Sequence, residues 1–132
     1  MPELKKFLAI ILFICTSAVF AQQKLLIPMD VNSQTDHLRA YGIAYRHLLG
    51  GKELDWLLNY RGGSFMFDYT SELTAECMAK GVSYELLSGT QAAQVYAEVQ
   101  NENNNMDLVR LEKVAKIAVY VPPNALPWDD AV

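Results

Sequence analysis

Leu54-Asp55-Trp56-Leu57-Leu58-Asn59-Tyr60-Arg61-Gly62-Gly63-Ser64-Phe65-Met66-Phe67 is the stretch on which the architecture turns. Leu54 to Tyr60 is nearly continuous in apolar character, the pattern of a strand covered on both faces. Arg61-Gly62-Gly63-Ser64 then interrupts it. Phe65-Met66-Phe67 reads either as a short further strand or as a buried loop. A strand covered on both faces points to a sheet sandwiched between helices, and such sheets are mostly parallel.

Upstream, Lys24 to Met29 (KLLIPM) reads as a first strand stopped by Pro28. Asp30, Asn32 and Ser33 form a polar connection, with Ser33 or Thr35 placed to cap a helix. From Asp36 to Leu49 the residues Leu38, Tyr41, Tyr45, Leu48 and Leu49 recur at helical spacing, which predicts an amphipathic helix turning that face to the core. Gly50-Gly51 ends it. Downstream, Asp68 to Ser71 offers several N-caps for a helix from Glu72 to Lys80, closed by Gly81. Val82 to Leu87 alternates as a strand. Ser88-Gly89-Thr90 starts a helix with Ala92, Val95, Tyr96 and Val99 on one face, and Asn101 to Asn105 is a polar turn. Residues 106–114 show no clear period and read as a loop with room for helical content. Lys116 to Val121 (KIAVYV) reads as a strand, and Pro122, Pro123 and Pro127 frame a loop. Strands alternating with helices predict an α/β domain over residues 22–121, a mostly parallel sheet flanked by helices of the Rossmann or flavodoxin kind. Right-handed crossovers would follow.

The two ends carry different information. Lys5 and Lys6 precede an apolar run from Phe7 to Phe20, and Val19-Phe20-Ala21 offers a cleavage site before Gln22. That is the layout of a secretory signal peptide over residues 1–21, and it predicts a periplasmic or secreted protein. The run is too short for a comfortable membrane span, so no stable span is expected after cleavage. Ile14 before Cys15 does not fit a lipoprotein signal. At the other end, Trp128-Asp129-Asp130-Ala131-Val132 reads as a helix N-terminus with acidic residues in its first turn. Residues 122–132 therefore look like a proline loop and the start of a truncated element, and the expectation is an N-terminal piece of a longer protein.

Without the leader, nine basic and fourteen acidic side chains remain, a formal charge of −5. Such a surface argues against nucleic acid as a partner, which requires clustered Lys and Arg. Cys77 is the one cysteine outside the leader, so an intrachain disulfide is excluded there. With Glu76 beside it, Cys77 reads as a small buried apolar residue on a helix rather than a nucleophile.

The stretches IPMDVNSQTDHLRAYGIAY, DWLLNYRGGSFMFDY and AKIAVYVPPNALPWDDAV resemble the opening portion of large exported Bacteroidota proteins commonly labelled asparagine synthetase B. The resemblance covers nearly the whole chain after the leader, and NYRGGSF is its most particular part. It implies a longer polypeptide with further residues beyond Val132. The residues that the labelled activity would need differ here. A glutamine-dependent synthetase of that name exposes a cysteine after its initiator methionine, where this chain has Pro2, and cleavage would expose Gln22. Its SGG-type pyrophosphate loop has only Arg61-Gly62-Gly63-Ser64 as a near match, in another order.

Ligands of open α/β sheets bind beyond the carboxyl ends of the strands. Two such ends are polar, Asp30-Val31-Asn32 and Asn59 to Ser64. Gly62-Gly63 permits close backbone approach to an anion, Arg61 supplies a forked donor and Ser64 a hydroxyl, with Asp30 and Asn32 facing them. The candidate site is a small pocket for a carboxylate, phosphate or sugar. The competing reading is a tight glycine turn whose arginine pairs with a carboxylate such as Asp68, since the motif lacks GxGxxG or Walker spacing. His37 and His47 are offset by about 80° and about 15 Å on one helix, so they do not share a metal. Tyr41, Tyr45, Trp56, Tyr60, Phe65, Phe67 and Tyr69 suit a sugar-stacking surface, yet core packing accounts for them more simply. Ser64, His37 and Asp30 form a triad only on paper, without a G-x-S-x-G elbow.

No cofactor is implied and no complete catalytic constellation is present. The expected role is that of an N-terminal α/β domain that packs against, or completes a site with, the C-terminal part of the same protein. Alternatives are part of a hydrolase or amidotransferase-like enzyme with its chemistry downstream, or a small-solute-binding module.

Overall fold

The computed structural model describes residues 22–116. The leader read over 1–21, the strand read over Lys116–Val121 apart from Lys116, and the proline loop and helix start over 122–132 lie outside the described residues. The elements are β1 (Lys24–Ile27), α1 (His37–Leu49), β2 (Leu54–Leu58), a 3-10 turn (Tyr60–Gly62), β3 (Ser64–Asp68), α2 (Ser71–Lys80), β4 (Glu85–Leu87), α3 (Gly89–Val99) and β5 (Asp107–Leu111).

The strands form one five-stranded sheet in the order β4-β1-β3-β2-β5. Every neighbouring pair is antiparallel. The expectation of a mostly parallel, Rossmann- or flavodoxin-like sheet is therefore overturned. Setting the 3-10 turn aside, the first six elements follow the split βαββαβ order of ferredoxin-like folds, and α3 and β5 are appended to it.

The reason lies at residues 59–63. Asn59, Arg61, Gly62 and Gly63 have φ of 61°, 46°, 80° and 92°, so four of five residues are left-handed and the chain reverses within that span. Leu54 to Phe67 is thus a hairpin. The Phe65-Met66-Phe67 segment, open between strand and loop in the sequence, lies in the middle strand of the sheet. Since β1 and β2 are each antiparallel to β3, they run in the same sense. The strand–helix–strand crossover that the sequence suggests does exist, but β3 sits between its two strands.

Gly62 also makes the closest backbone approach of the turn. A Cβ at that position would lie 2.5 Å from the Met29 carbonyl oxygen and 2.8 Å from the Asp30 nitrogen. The Met29 N–H donates to the Arg61 carbonyl at 3.1 Å, so the hairpin turn is fastened to the end of β1.

Alternation along the strands sorts the core into two layers. Leu25, Ile27, Leu54, Phe65 and Phe67 face Ala40, Ile43 and Ala44 of α1 and Leu73 and Cys77 of α2. Leu26, Leu57, Met66 and Leu87 face Ala92 and Val99 of α3, with Val95, Tyr96 and Leu108 packed alongside. The apolar run of β2 is thus buried on both faces in an antiparallel sheet. Among the described residues no helix is long and apolar enough to cross a membrane.

Helix starts follow local chemistry. Asp36, rather than Ser33 or Thr35, caps α1 by accepting from Arg39 N at 2.9 Å. Thr70 caps α2, and Ser88 with Gln91 forms a capping box on α3. Residues 106–114, which read as loop, contain β5. Its period is hidden because an edge strand buries little: Leu108, Val109 and Leu111 are only partly covered, and Asp107 and Arg110 are exposed. Beside its ladder to β2, β5 is held by polar side chains. Asp55, 6% exposed, accepts from the Tyr96 hydroxyl at 2.6 Å and from an Arg110 guanidinium nitrogen at 2.9 Å. Arg110 also pairs with Glu53 at 2.7 Å. Burial first, and the Asp55 carboxylate second, push the Tyr96 hydroxyl far above its usual pKa, so it remains a donor.

Two outcomes follow in chemical denaturation. Tyr96→Phe removes a donor from a buried carboxylate and should lower stability by about 1.5–3 kcal/mol. Gly51→Ala, at φ +73° in open space, should cost about 1 kcal/mol, and Gly62→Ala several times more because backbone must move.

Candidate functional site

Of the residues singled out by sequence, the structure brings Asp30 and Arg61 together, in a closed ion cluster with Ser33 and Glu85. The Arg61 guanidinium donates from Nε to Asp30 Oδ2 at 3.3 Å, from one terminal nitrogen to Glu85 Oε2 at 2.9 Å and from the other to Ser33 Oγ at 3.0 Å. That second nitrogen also lies 2.8 Å from Glu85 Oε1, giving a two-pronged pair with Glu85. The pairing of Arg61 with Asp68 is corrected: Asp68 pairs with Lys24 at 2.6 Å. Glu85 and Ser33 are not legible as partners in the sequence, because nothing local links residues 33, 61 and 85.

This arrangement is a clamp joining three segments rather than an open anion receptor. An incoming carboxylate or phosphate would meet the Asp30 and Glu85 charges and would have to displace them from Arg61. Glu85 holds the Arg61 pKa above its usual value, and hydrogen bonding from Ser33, with Arg61 adding its charge, holds the Asp30 carboxyl below the ordinary range. Gly62 and Gly63 serve the turn itself: Gly62 presses on Met29, and the Gly63 carbonyl accepts from Trp56 Nε1 at 3.1 Å. Ser64 is completely buried, and its Oγ donates to the Tyr60 carbonyl at 2.9 Å. Asn32 is exposed in the loop after β1.

The remaining candidates have structural partners. His37 Nε2 donates to the Met29 carbonyl at 3.0 Å, while Ser64 Oγ is engaged by the Tyr60 and Arg61 carbonyls. His47 lies edge-on to Phe67 at 5.0 Å, bonds the Glu53 carbonyl at 3.2 Å and has its pKa lowered by burial. Cys77 is fully buried, and its thiol is pushed up to about 11 by desolvation first and Glu76 second. Gln34, which no sequence pattern singles out, is buried and spans two loops: Nε2 donates to the Pro28 and Ser83 carbonyls while Oε1 accepts from Ser83 N.

An open, nearly apolar feature of the surface lies on α1. Its sheet-facing side is Ala40, Ile43 and Ala44, whereas Leu38 is 84% exposed, Tyr41 49%, Tyr45 51% and Leu49 63%. The expectation that this larger face enters the core is corrected. Small residues let the α1 backbone come close to the sheet, and the bulky ones are turned to its flank. Because β5 extends the sheet past β2, a groove of about 330 Å³ is left, lined by Tyr41, Ala44, Tyr45, Leu48, Trp56, Phe65 and Leu111. Phe65 stacks near Trp56 at 6.1 Å and takes Tyr41 edge-on at 5.6 Å. With Trp56 Nε1 engaged by Gly63, the side-chain polar groups on offer are the two tyrosine hydroxyls. The signal was present in the sequence: α1 carries two apolar stripes, and a helix apolar on two sides has two surfaces to cover.

The clamp can be checked by carbon-detected NMR titration. Asp30 should titrate below the ordinary carboxylate range, and Ser33→Ala should bring it back up. A depressed folded pKa means that this stabilisation is complete above the unfolded value of about 3.9 and disappears as the pH falls through the lower folded value. Ser33→Ala should therefore weaken the dependence of stability on pH in that acid window. Comparison with protein-family models, with curated proteins and with solved structures finds no match, so the geometry alone carries the functional reading.

Proposed function

We propose that residues 22–116 form a docking domain of an exported protein, structural rather than catalytic in role, whose α1 groove holds polypeptide that follows residue 116 in the same chain. The observation that carries this reading is the aromatic and aliphatic groove between α1 and the β2–β5 edge, with Tyr41 and Tyr45 about half exposed at its rim. Complete burial of an exposed Leu or Phe side chain is worth about 1.5–3 kcal/mol, and Leu48 and Leu111 in this groove are only partly covered. Such a surface favours an apolar protein segment. A sugar or a small anion would find too few polar groups there, and the Arg61 cluster is occupied by Asp30, Glu85 and Ser33. Export is supported by the charged, apolar and small-residue order of the first twenty-one residues.

Photo-cross-linking in the full protein tests the reading. A benzoyl-phenylalanine in place of Tyr45 should cross-link to peptides C-terminal to residue 116, identified by mass spectrometry. The same probe at Leu86, exposed on β4 at the opposite edge of the sheet, should not. Equal products from the two positions, or none from Tyr45, would overturn the docking role.

A further inference from the structure

Resting on the docking reading, we infer that the occupant of the α1 groove is the proline-rich segment Pro122-Pro123-Asn124-Ala125-Leu126-Pro127, bound in cis. Three observations lead there. The groove presents Tyr41, Tyr45 and Trp56 on one open, nearly apolar surface. Aromatic-lined grooves with few polar groups are the surface that receives proline-rich chain in the polyproline II form, where the rings pack on proline and hydroxyls bond the exposed carbonyls. Tyr41 and Tyr45, about half exposed at the rim, carry their hydroxyls beside that apolar surface.

The second observation is position. Leu111 both ends β5 and lines the groove, so the chain leaves the sheet at the groove itself. The ten residues from Glu112 to Val121 span roughly 33–36 Å when extended, ample to bring Pro122 back along α1. The third is the size of the surface against the cost of covering it. A stable pair of separate chains buries about 800 Å² and roughly 20–30 residues on each partner, whereas seven residues bound this groove. A tethered segment instead binds at an effective concentration in the millimolar range, and its prolines have already lost much of their backbone freedom. Charge does not oppose the union, since Pro122 to Pro127 has no ionisable side chain.

NMR of the whole 132-residue chain tests this. The expected result is upfield ring-current shifts of the Pro122, Pro123 and Pro127 side-chain protons, with nuclear Overhauser cross-peaks to the Tyr41 or Tyr45 ring that persist on dilution. Tyr45→Ala, and separately Pro123→Ala for the case in which the first variant misfolds, should move those shifts towards random-coil values. Random-coil proline shifts in the unaltered chain would overturn the inference. So would cross-peaks that vanish on dilution, which would assign the groove to a second copy. If the Tyr45 cross-links land only beyond residue 127 while the prolines stay at random-coil values, the docking role stands and this occupant fails.

Discussion

Gly62 lies so close to the Met29 carbonyl that no side chain fits between them, and the rest of the sheet depends on that contact. It fixes where the hairpin turn meets the end of β1, and the Met29–Arg61 backbone hydrogen bond closes it. With the turn held there, β3 pairs with β2 on one side and with β1 on the other, at registers Leu57↔Ser64 and Ile27↔Phe65. The left-handed conformation of Arg61 itself, unusual for a residue with a Cβ, is sustained by its fork of bonds to Asp30, Ser33 and Glu85. Strain at one residue is thus offset by ties to two other segments, the loop after β1 and β4.

Around this centre the sheet is covered unequally. On one face α1 and α2 pack over β1, β3 and part of β2; on the other α3 lies across Leu26, Met66 and Leu57. Adding β5 widens the sheet, but no described helix lies over the β2–β5 edge on the α1 side. The polar ties of Asp55 to Tyr96 and Arg110 hold β5 in register without covering that edge. The groove is a direct consequence of a strand appended to a four-stranded unit whose helices reach only four strands.

These features divide the surface by role. The Arg61 cluster is rich in the residue types that bind anions, yet each arm of its guanidinium already faces the chain's own oxygen atoms. The groove has the opposite character, with little hydrogen-bonding capacity and much ring surface. Binding of further polypeptide on apolar side chains suits the second surface, and mechanical attachment of three segments suits the first.

Much of the element pattern was legible in the sequence. Short-range chemistry sets it: Ser88 and Gln91 within one turn, Gly81 after Lys80, the face Ala92, Val95, Tyr96 and Val99, and the buried run at Leu54 to Leu58. Asp30 and Arg61 meet because β1 and β2 run in the same sense and end on the same side of the sheet. Strand direction was not legible, because it rests on whether Asn59, Arg61, Gly62 and Gly63 all adopt positive φ, and the partners of Arg61 in that conformation, Met29, Asp30 and Glu85, are remote in sequence. Likewise, α1 carries two apolar stripes, and only the close seat of Ala40, Ile43 and Ala44 on the sheet decides which is inside. Local propensity acts over a few residues and so determined the elements; pairings between residues about forty apart fixed their order, sense and exposed face, and these exist only once the chain has folded.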